Sequence, residues 1–428
     1  MLLDLLYGLA GLLLVPYFLY RRFIKRKQSA GLSRKLGLAP VREAGRKRVW
    51  IHAVSVGEAA AAETLIKALR AEIPGIDIVV STTTVTGQDV AAKKYGAENV
   101  FFYPLDFSFA VKRALDSVQP TVLVLMELEV WPNMTAVCEK RGIPVIVVNG
   151  RVTERAAARY KRFWFLVGPS FKRVKHWLAQ TEEYAARLRE LGVDEGRIEI
   201  AGNIKYDAID TVLQAGEREQ LRAKLGLSID APVLLGGSTH PSEEAELLKA
   251  CKDLRRWLPE LRLILVPRHP ERAPDVEKEI VQAGFTPVKL SALRTGVAPP
   301  LPDGIDAGRT VLLVDVVGEL KGMYKIADAA FIGGSLIPHG GQNIMEPCGL
   351  GVPALHGPHM HNFNDAMEIL RGCNGSIEVS RDSLGVELGN VFRDLGAYRR
   401  MAGRAREAFL QRQGATGRTV GYLKTLMG

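Results

Sequence analysis

The first half of the chain holds three short segments whose residue types could act on a polar substrate. In His52-Ala53-Val54-Ser55-Val56-Gly57-Glu58 a strand-like run ends in a glycine turn that sets a carboxylate on the first turn of a helix. That carboxylate can complement the helix dipole, or it can accept a proton from a substrate hydroxyl. The segment lacks the Gly-x-Gly-x-x-Gly spacing, so a dinucleotide site is not supported. In Met126-Glu127-Leu128-Glu129-Val130-Trp131-Pro132 two acids stand at i and i+2. They point the same way if the strand continues, and acids in an apolar run are seldom buried without a partner or a purpose. In Gly202-Asn203-Ile204-Lys205-Tyr206-Asp207 the lysine can neutralise a phosphate or carboxylate, or stand as an ordinary solvated side chain.

The second half carries groups of the opposite character. Gly236-Gly237-Ser238-Thr239-His240 and Val266-Pro267-Arg268-His269-Pro270 each follow a strand-like run. An arginine held rigidly between a strand and two prolines suits bidentate recognition of an anion; its bland alternative is a carbonyl cap. No carboxylate stands near His240 or His269 at a spacing such as His-Glu-x-x-His, so no metal site is expected. Further on come Val316-Val317-Gly318-Glu319 and the long run from Gly333 to Pro347, which includes His339-Gly340-Gly341-Gln342-Asn343-Ile344-Met345-Glu346. Glycines opening a helix, with a glutamate on its first turn, offer backbone donors to a phosphate and a carboxylate to ribose hydroxyls. Asp-x-Asp, with which many metal-dependent sugar-nucleotide enzymes hold a divalent ion, is missing; Gly-x-x-x-x-Gly-Lys-[Ser/Thr] is missing too, so P-loop phosphoryl transfer is not expected.

These loops need strands behind them. Short apolar, β-branched runs recur at Val49–Ala53, Ile76–Ser81, Val100–Tyr103, Thr121–Met126 and Val145–Val148, with Trp177–Gln180 and Ile198–Ala201 completing a first series. A second series runs through Val233–Gly236, Leu263–Val266, Val311–Val314, Ala329–Ile332 and Val352–Leu355. Helical stretches such as Glu58–Ala71 and Met134–Arg141 lie between. Such alternation predicts two doubly wound parallel sheets, joined by the polar, charge-rich stretch Asn203–Pro232. In open sheets of this kind ligands bind beyond the carboxyl ends of the strands, where all the segments above are expected.

A chain of 428 residues with formal net charge +10 might read nucleic acid, but the charge is local. Between Arg21 and Arg48 stand eleven Lys/Arg against Glu43 alone, so the rest of the chain balances at 46 of each sign. A nucleic-acid reader spreads its charge over a folded face. Here the basic block follows the nineteen-residue, Leu-rich run Leu2–Tyr20, whose one charge is Asp4. That pattern predicts an uncleaved membrane anchor with the body on the cytoplasmic side, either spanning or lying in the interface. Cys138, Cys251, Cys348 and Cys373 are far apart, which implies neither a disulfide framework nor zinc.

Taken together and in order, these segments resemble the Kdo (3-deoxy-D-manno-octulosonic acid) transferases of lipopolysaccharide synthesis. The resemblance rests on His-Ala-Val-Ser-Val-Gly-Glu at 52–58, Glu-Leu-Glu-Val-Trp-Pro-Asn at 127–133, Val-Pro-Arg-His-Pro-Glu-Arg at 266–272 and Gly-Gly-Gln-Asn-Ile-Met-Glu-Pro at 340–347. It runs from the N-terminal apolar segment to about Asp365, and more loosely to the end. Gln342 departs from the family's usual histidine, and Asn149-Gly150-Arg151 from its Asn-Ala-Arg. The resemblance implies an α/β GT-B fold, two Rossmann-like domains facing a cleft, with an N-terminal membrane-anchor helix. The expected division is 1–27 anchor and basic flank, 28–205 acceptor domain, 206–230 linker, 231–395 CMP-sugar domain and 396–428 C-terminal helices. It implies inverting transfer of Kdo from CMP-Kdo to a lipid A precursor, lipid IVA, at the cytoplasmic face of the inner membrane. No cofactor or metal is expected, and the partners are donor, acceptor and anionic lipid, not nucleic acid. By the same resemblance Glu58 is the general base, and Glu127 and Lys205 assist the transition state. Arg268, His269, Val317, Gly318, Glu319, Asn343, Ile344, Met345 and Glu346 hold the CMP. Beside this stand a GT-B transferase using a UDP-sugar, a non-catalytic sugar-nucleotide-binding membrane protein and a nucleotide-sugar epimerase.

Overall fold

Strands that are covered by helices on both faces need apolar centres, and the central strands of both sheets have them, as in Val49–Ile51, Val122–Met126, Val233–Leu235 and Leu263–Val266. The computed structural model describes residues 3–5, 7–9, 32–54, 56–297, 301 and 309–428. The chain divides into unit 1, Met1–Ala208 with Arg412–Gly428, and unit 2, Ile209–Gln411.

The unit 1 sheet contains β1 (Arg48–His52), β2 (Asp77–Thr82), β3 (Val100–Phe102), β4 (Val122–Met126), β5 (Val145–Gly150), β6 (His176–Ala179) and β7 (Ile198–Ile200). All pairings are parallel, in the order β3-β2-β1-β4-β5-β6-β7. Strand alternation sends successive side chains to opposite faces. Trp50, Leu123, Val147 and Trp177 thus pack with Phe171 on one side. Val49, Ile51, Val124 and Ile146 pack on the other, where Ala415, Val420 and Leu423 of the last helix, Ala415–Met427, join them. That helix is fixed at its start by Asp207, whose carboxylate accepts from Gly414 N at 2.6 Å and Thr416 N at 2.5 Å.

The unit 2 sheet contains β8 (Val233–Thr239), β9 (Arg262–Pro267), β10 (Thr286–Lys289), β11 (Thr310–Leu313), β12 (Ala329–Ile332), β13 (Ala354–His356) and β14 (Ile377–Glu378), in the order β10-β11-β9-β8-β12-β13-β14. The stretch read from sequence as a connection carries the helix Glu217–Lys224, which belongs to unit 2. It is tied there by a buried charge cluster. Asp328 accepts from Arg218 (2.6 Å), Arg222 (2.9 Å), Arg399 (2.8 Å) and Val233 N (3.0 Å).

Among the described residues no helix is long and apolar enough to cross a membrane. The anchor expected over 1–27 lies outside the described residues apart from 3–5 and 7–9, which are helical. Those few residues contact unit 1. Asp4 accepts from Ser108 N and Oγ (both 2.7 Å), and Tyr7 donates to Asp106 at 3.1 Å.

Candidate active site

In unit 1, β1 and β4 are neighbours although β2 and β3 intervene in the chain, so the winding of the sheet reverses between them. A reversal of this kind opens a crevice at the carboxyl ends of the two strands. The loop after β1 leads to Glu58, on the first turn of the helix Val56–Glu72. Its Oε2 accepts from Val54 N at 2.8 Å, so part of the carboxylate closes the loop that carries it.

The loop after β4 begins with Glu127. The expectation that Glu127 and Glu129 extend a strand and point one way is not met. β4 ends at Met126, and Glu127 has φ +57, in the left-handed region that non-glycine residues rarely occupy. The chain must turn sharply to reach Pro132, the first residue of the helix Pro132–Lys140, and Glu129 turns away to accept from Trp131 Nε1 at 2.9 Å. A half-buried acid held in a strained turn at a strand end is a feature that clusters at functional sites.

Lys205 sits in a short 3-10 turn, Ile204–Tyr206, after β7. Amide side chains lock that turn to the neighbouring strand ends. Asn149 Oδ1 accepts from Ile204 N (3.1 Å), Gln180 Nε2 donates to Asn149 O (2.9 Å), and Asn203 Nδ2 donates to Gln180 Oε1 (2.9 Å). The Lys205 ammonium lies 5.1 Å from the Tyr206 ring centroid, within cation–π range.

Unit 2 has its own reversal, between β8 and β12. The loop after β12 runs through the glycines at 333–341, and its first amides are not available to a phosphate. Fully buried Glu243 accepts from Gly334 N (2.7 Å), Ser335 N and Leu336 N (both 3.0 Å), and also from His240 N (2.9 Å). Later in the loop Asn343 folds over the short helix Met345–Gly349, accepting from Met345 N (3.1 Å) and donating to Glu346 (3.0 Å). Ile344 is fully buried, so any contact it makes with a ligand is through its backbone.

Arg268 and His269 follow β9 and are exposed. The rigid hold expected for Arg268 applies to its backbone, where N donates to Thr239 O at 3.0 Å; among the described residues its guanidinium has no partner. The half-buried arginine of this loop is Arg272, which donates to buried Glu244 at 2.8 Å. Val317 is exposed, Gly318 has φ +92, and Glu319 is gripped by both terminal nitrogens of Arg294 at 2.9 and 2.6 Å. Arg294 and Glu319 also line a cavity of about 300 Å³ walled by Leu221, Leu225, Met323 and Ile326. None of Arg268, His269 or Asn343–Glu346 lines it. Among the described residues no group of three or more His, Cys, Asp or Glu is placed to hold a metal ion.

Known proteins resemble this chain in sequence and in fold. A family model for 3-deoxy-D-manno-octulosonic-acid transferase (kdotransferase) matches residues 30–208. The 3-deoxy-D-manno-octulosonic acid transferase of Haemophilus influenzae is 32% identical over 380 residues, 88% of this chain and 86% of that one. This chain belongs to the Kdo transferases. Among solved structures, the C-terminal CMP-Kdo binding domain of WaaA from Acinetobacter baumannii is similar at 28% identity and TM-score 0.39, over 45% of this chain and 95% of that one. UDP-GlcNAc 2-epimerase from Neisseria meningitidis, bound to UDP-GlcNAc, matches at 13% identity and TM-score 0.53, over 89% of this chain and 99% of that one, a likeness of fold alone.

As a Kdo transferase the chain is a glycosyltransferase of lipopolysaccharide synthesis, and its carboxyls are tuned unevenly. Burial raises the Glu127 carboxyl above the ordinary range and Glu129 adds to this, while Arg151 and Lys205 pull it down. Glu346 is likewise raised by burial, against Lys321 and the Asn343 hydrogen bond. Glu319 is lowered, chiefly by its hydrogen bonds to Arg294. The sequence reading did not assign Arg151, Glu243 or His339 to the site of this Kdo transferase. The first followed a strand in Asn149-Gly150-Arg151, and the last stood in the glycine run. Glu243 carried no signal beyond its place three residues after His240.

Proposed function

We propose that this Kdo transferase is an inverting GT-B glycosyltransferase that moves Kdo from CMP-Kdo to the lipid A precursor lipid IVA, without a metal. The reading is carried by the emergence of Glu58 and Glu127 from the two strands at which the unit 1 sheet reverses. Glu58 takes the proton of the acceptor hydroxyl as its oxygen attacks the anomeric carbon, a positioned transfer worth about 10²–10⁴-fold. The bond from that carbon to the phosphate oxygen breaks, and CMP leaves with the electron pair. Glu127 and Lys205 steady the charges that develop. Unit 2 holds the CMP through Arg268, His269, Val317–Glu319 and Asn343–Glu346. One phosphate needs only fixed cations and backbone donors, which act strongly where water is excluded. The apolar and basic N-terminal segment, 1–27, holds the enzyme at the cytoplasmic face of the inner membrane, where a lipid acceptor is found.

The test is to incubate the full chain with CMP-Kdo and lipid IVA in excess EDTA and to read the product by mass. A lipid heavier by one or more Kdo residues supports the proposal. Activity that appears only on adding Mg²⁺, or only with a UDP-sugar, overturns it.

A further inference from the structure

Imidazoles gather at the reversal in unit 2. His240 follows β8 directly and is buried, and His339 stands on the loop after β12. Their ring centroids are 4.2 Å apart, and His269, from the loop after β9, meets His240 edge-on at 6.3 Å. Gly334, at φ +66, lets the rings close on the backbone. A Cβ there would lie 3.2 Å from carbon atoms of both His240 and His339.

Hydrogen-bond donors and cations gather here. Two acids lie behind them: Glu243 is held by backbone amides, that of His240 among them, and Glu244 Oε1 accepts from Arg272 and Thr239. No described carboxylate hydrogen-bonds to any of the three rings. Gln342 Nε2 lies 3.2 Å from His240 Nε2. With the amide nitrogen donating, the ring proton of His240 is on Nδ1. Burial, with His339, His269, Arg272 and Arg268 around it, pushes His240 down to about 4, so the ring is neutral near pH 7.

We propose that His240 and His339, flanked by the nucleotide contact of His269, form the seat for the carboxylate of the transferred sugar, beside the phosphate contact of Arg268. This rests on CMP-Kdo being the donor. In such a donor the anomeric carbon bears both the phosphate oxygen and the carboxylate, so the second anion must sit next to the first. A neutral imidazole at His240 also suits the chemistry. The carboxylate's negative charge favours the oxocarbenium-like centre forming beside it, and N–H donors orient that charge without cancelling it, as a second arginine would.

The test uses the full-length enzyme with His339→Gln, which alters an exposed ring, and His240→Gln, each checked for an unchanged melting temperature. KM for CMP-Kdo should rise about tenfold, the loss of one hydrogen bond to a charged group, while the Kd for CMP stays within about twofold. The preference of the wild type for CMP-Kdo over its carboxamide analogue should fall by a similar factor. A parallel loss of CMP affinity would place His240 and His339 on the nucleotide and overturn the proposal, as would an unchanged preference in His339→Gln. If the wild type transfers no Kdo from CMP-Kdo, the donor reading itself fails, a result distinct from either of these.

Discussion

The two sheets are alike in frame and opposite in what they present. Among the described residues each has seven parallel strands and a reversal beside its first strand, β1 against β4 in unit 1 and β8 against β12 in unit 2. At the unit 1 reversal the loops carry Glu58 and strained Glu127; at the unit 2 reversal they carry His240 and His339, with Arg268 and His269 on the next loop. The shared topology supplies only a place where strand ends splay and loops can meet a ligand. On the proposed reading, side chains then decide whether that place accepts a proton or grips an anion. The frames differ in one respect, since β11 lies between β9 and β10, whereas β2 joins β1 to β3 directly.

The sharpest way to break the contrast is at Glu58. Glu58→Gln keeps the volume and removes the proton-accepting charge, so transfer should fall by about two to four orders of magnitude. CMP affinity, assigned to unit 2, should hardly move. Single-turnover transfer alongside CMP titration decides this. An active variant would reduce Glu58 to the dipole role its bond to Val54 N already hints at.

Asp328 tests what holds unit 2 together. Asp328→Ala strands Arg222, which is 1% exposed, without its counter-charge, and breaking such a pair costs about 3–5 kcal/mol. Urea unfolding followed at Trp257, the unit 2 tryptophan, should show the loss, while the signal of Trp50 and Trp177 in unit 1 should hold.

Acid should act on unit 1 through His52. The ring is fully buried and stacked 3.7 Å from Tyr103, its Nδ1 meets Ser81, and among the described residues its Nε2 has no hydrogen-bond partner. Burial pushes its pKa down to about 3. The unfolded chain therefore takes up the proton first, and stability present above about pH 6.5 is lost as pH falls toward 3. Between pH 6.5 and 4 this amounts to roughly 3 kcal/mol. His52→Phe should flatten that part of the stability profile of unit 1, as read by Trp50 fluorescence. A profile as steep as the wild type would refute the assignment.

The smallest effect is expected at Arg268. Arg268→Ala should weaken CMP by about 1.5–3 kcal/mol, one lost charge-assisted hydrogen bond, without disturbing stability, because the side chain is exposed and has no partner among the described residues. Isothermal titration reads the change. Unaltered CMP affinity would move the phosphate contact elsewhere.

The strands were legible in the sequence where both faces are covered. Ala329–Ile332 is β12 to the residue, and the other central runs differ at their ends by one to three residues. Two edge strands, β10 and β14, were not, because half-exposed Thr286-Pro287-Val288-Lys289 and the pair Ile377-Glu378 have no continuous apolar run to read. The strand-to-loop motifs were legible as well, since glycine, proline and charge at the end of an apolar run are local signals.

What the sequence determined by itself is therefore local: buried runs, punctuating loops, excess positive charge confined to the N-terminal flank, and the motifs shared with the Kdo transferases. Only the tertiary structure decided which loops meet. Pairing β1 with β4 and β8 with β12 brings together residues some 70 to 100 positions apart, and periodicity carries no information at that range. The tertiary structure alone gave the amides of the glycine loop to Glu243, turned Glu127 away from Glu129, and returned the last helix to unit 1. Each outcome is a competition for a hydrogen bond or a buried face, and the partner that wins is set by distance in space, not along the chain.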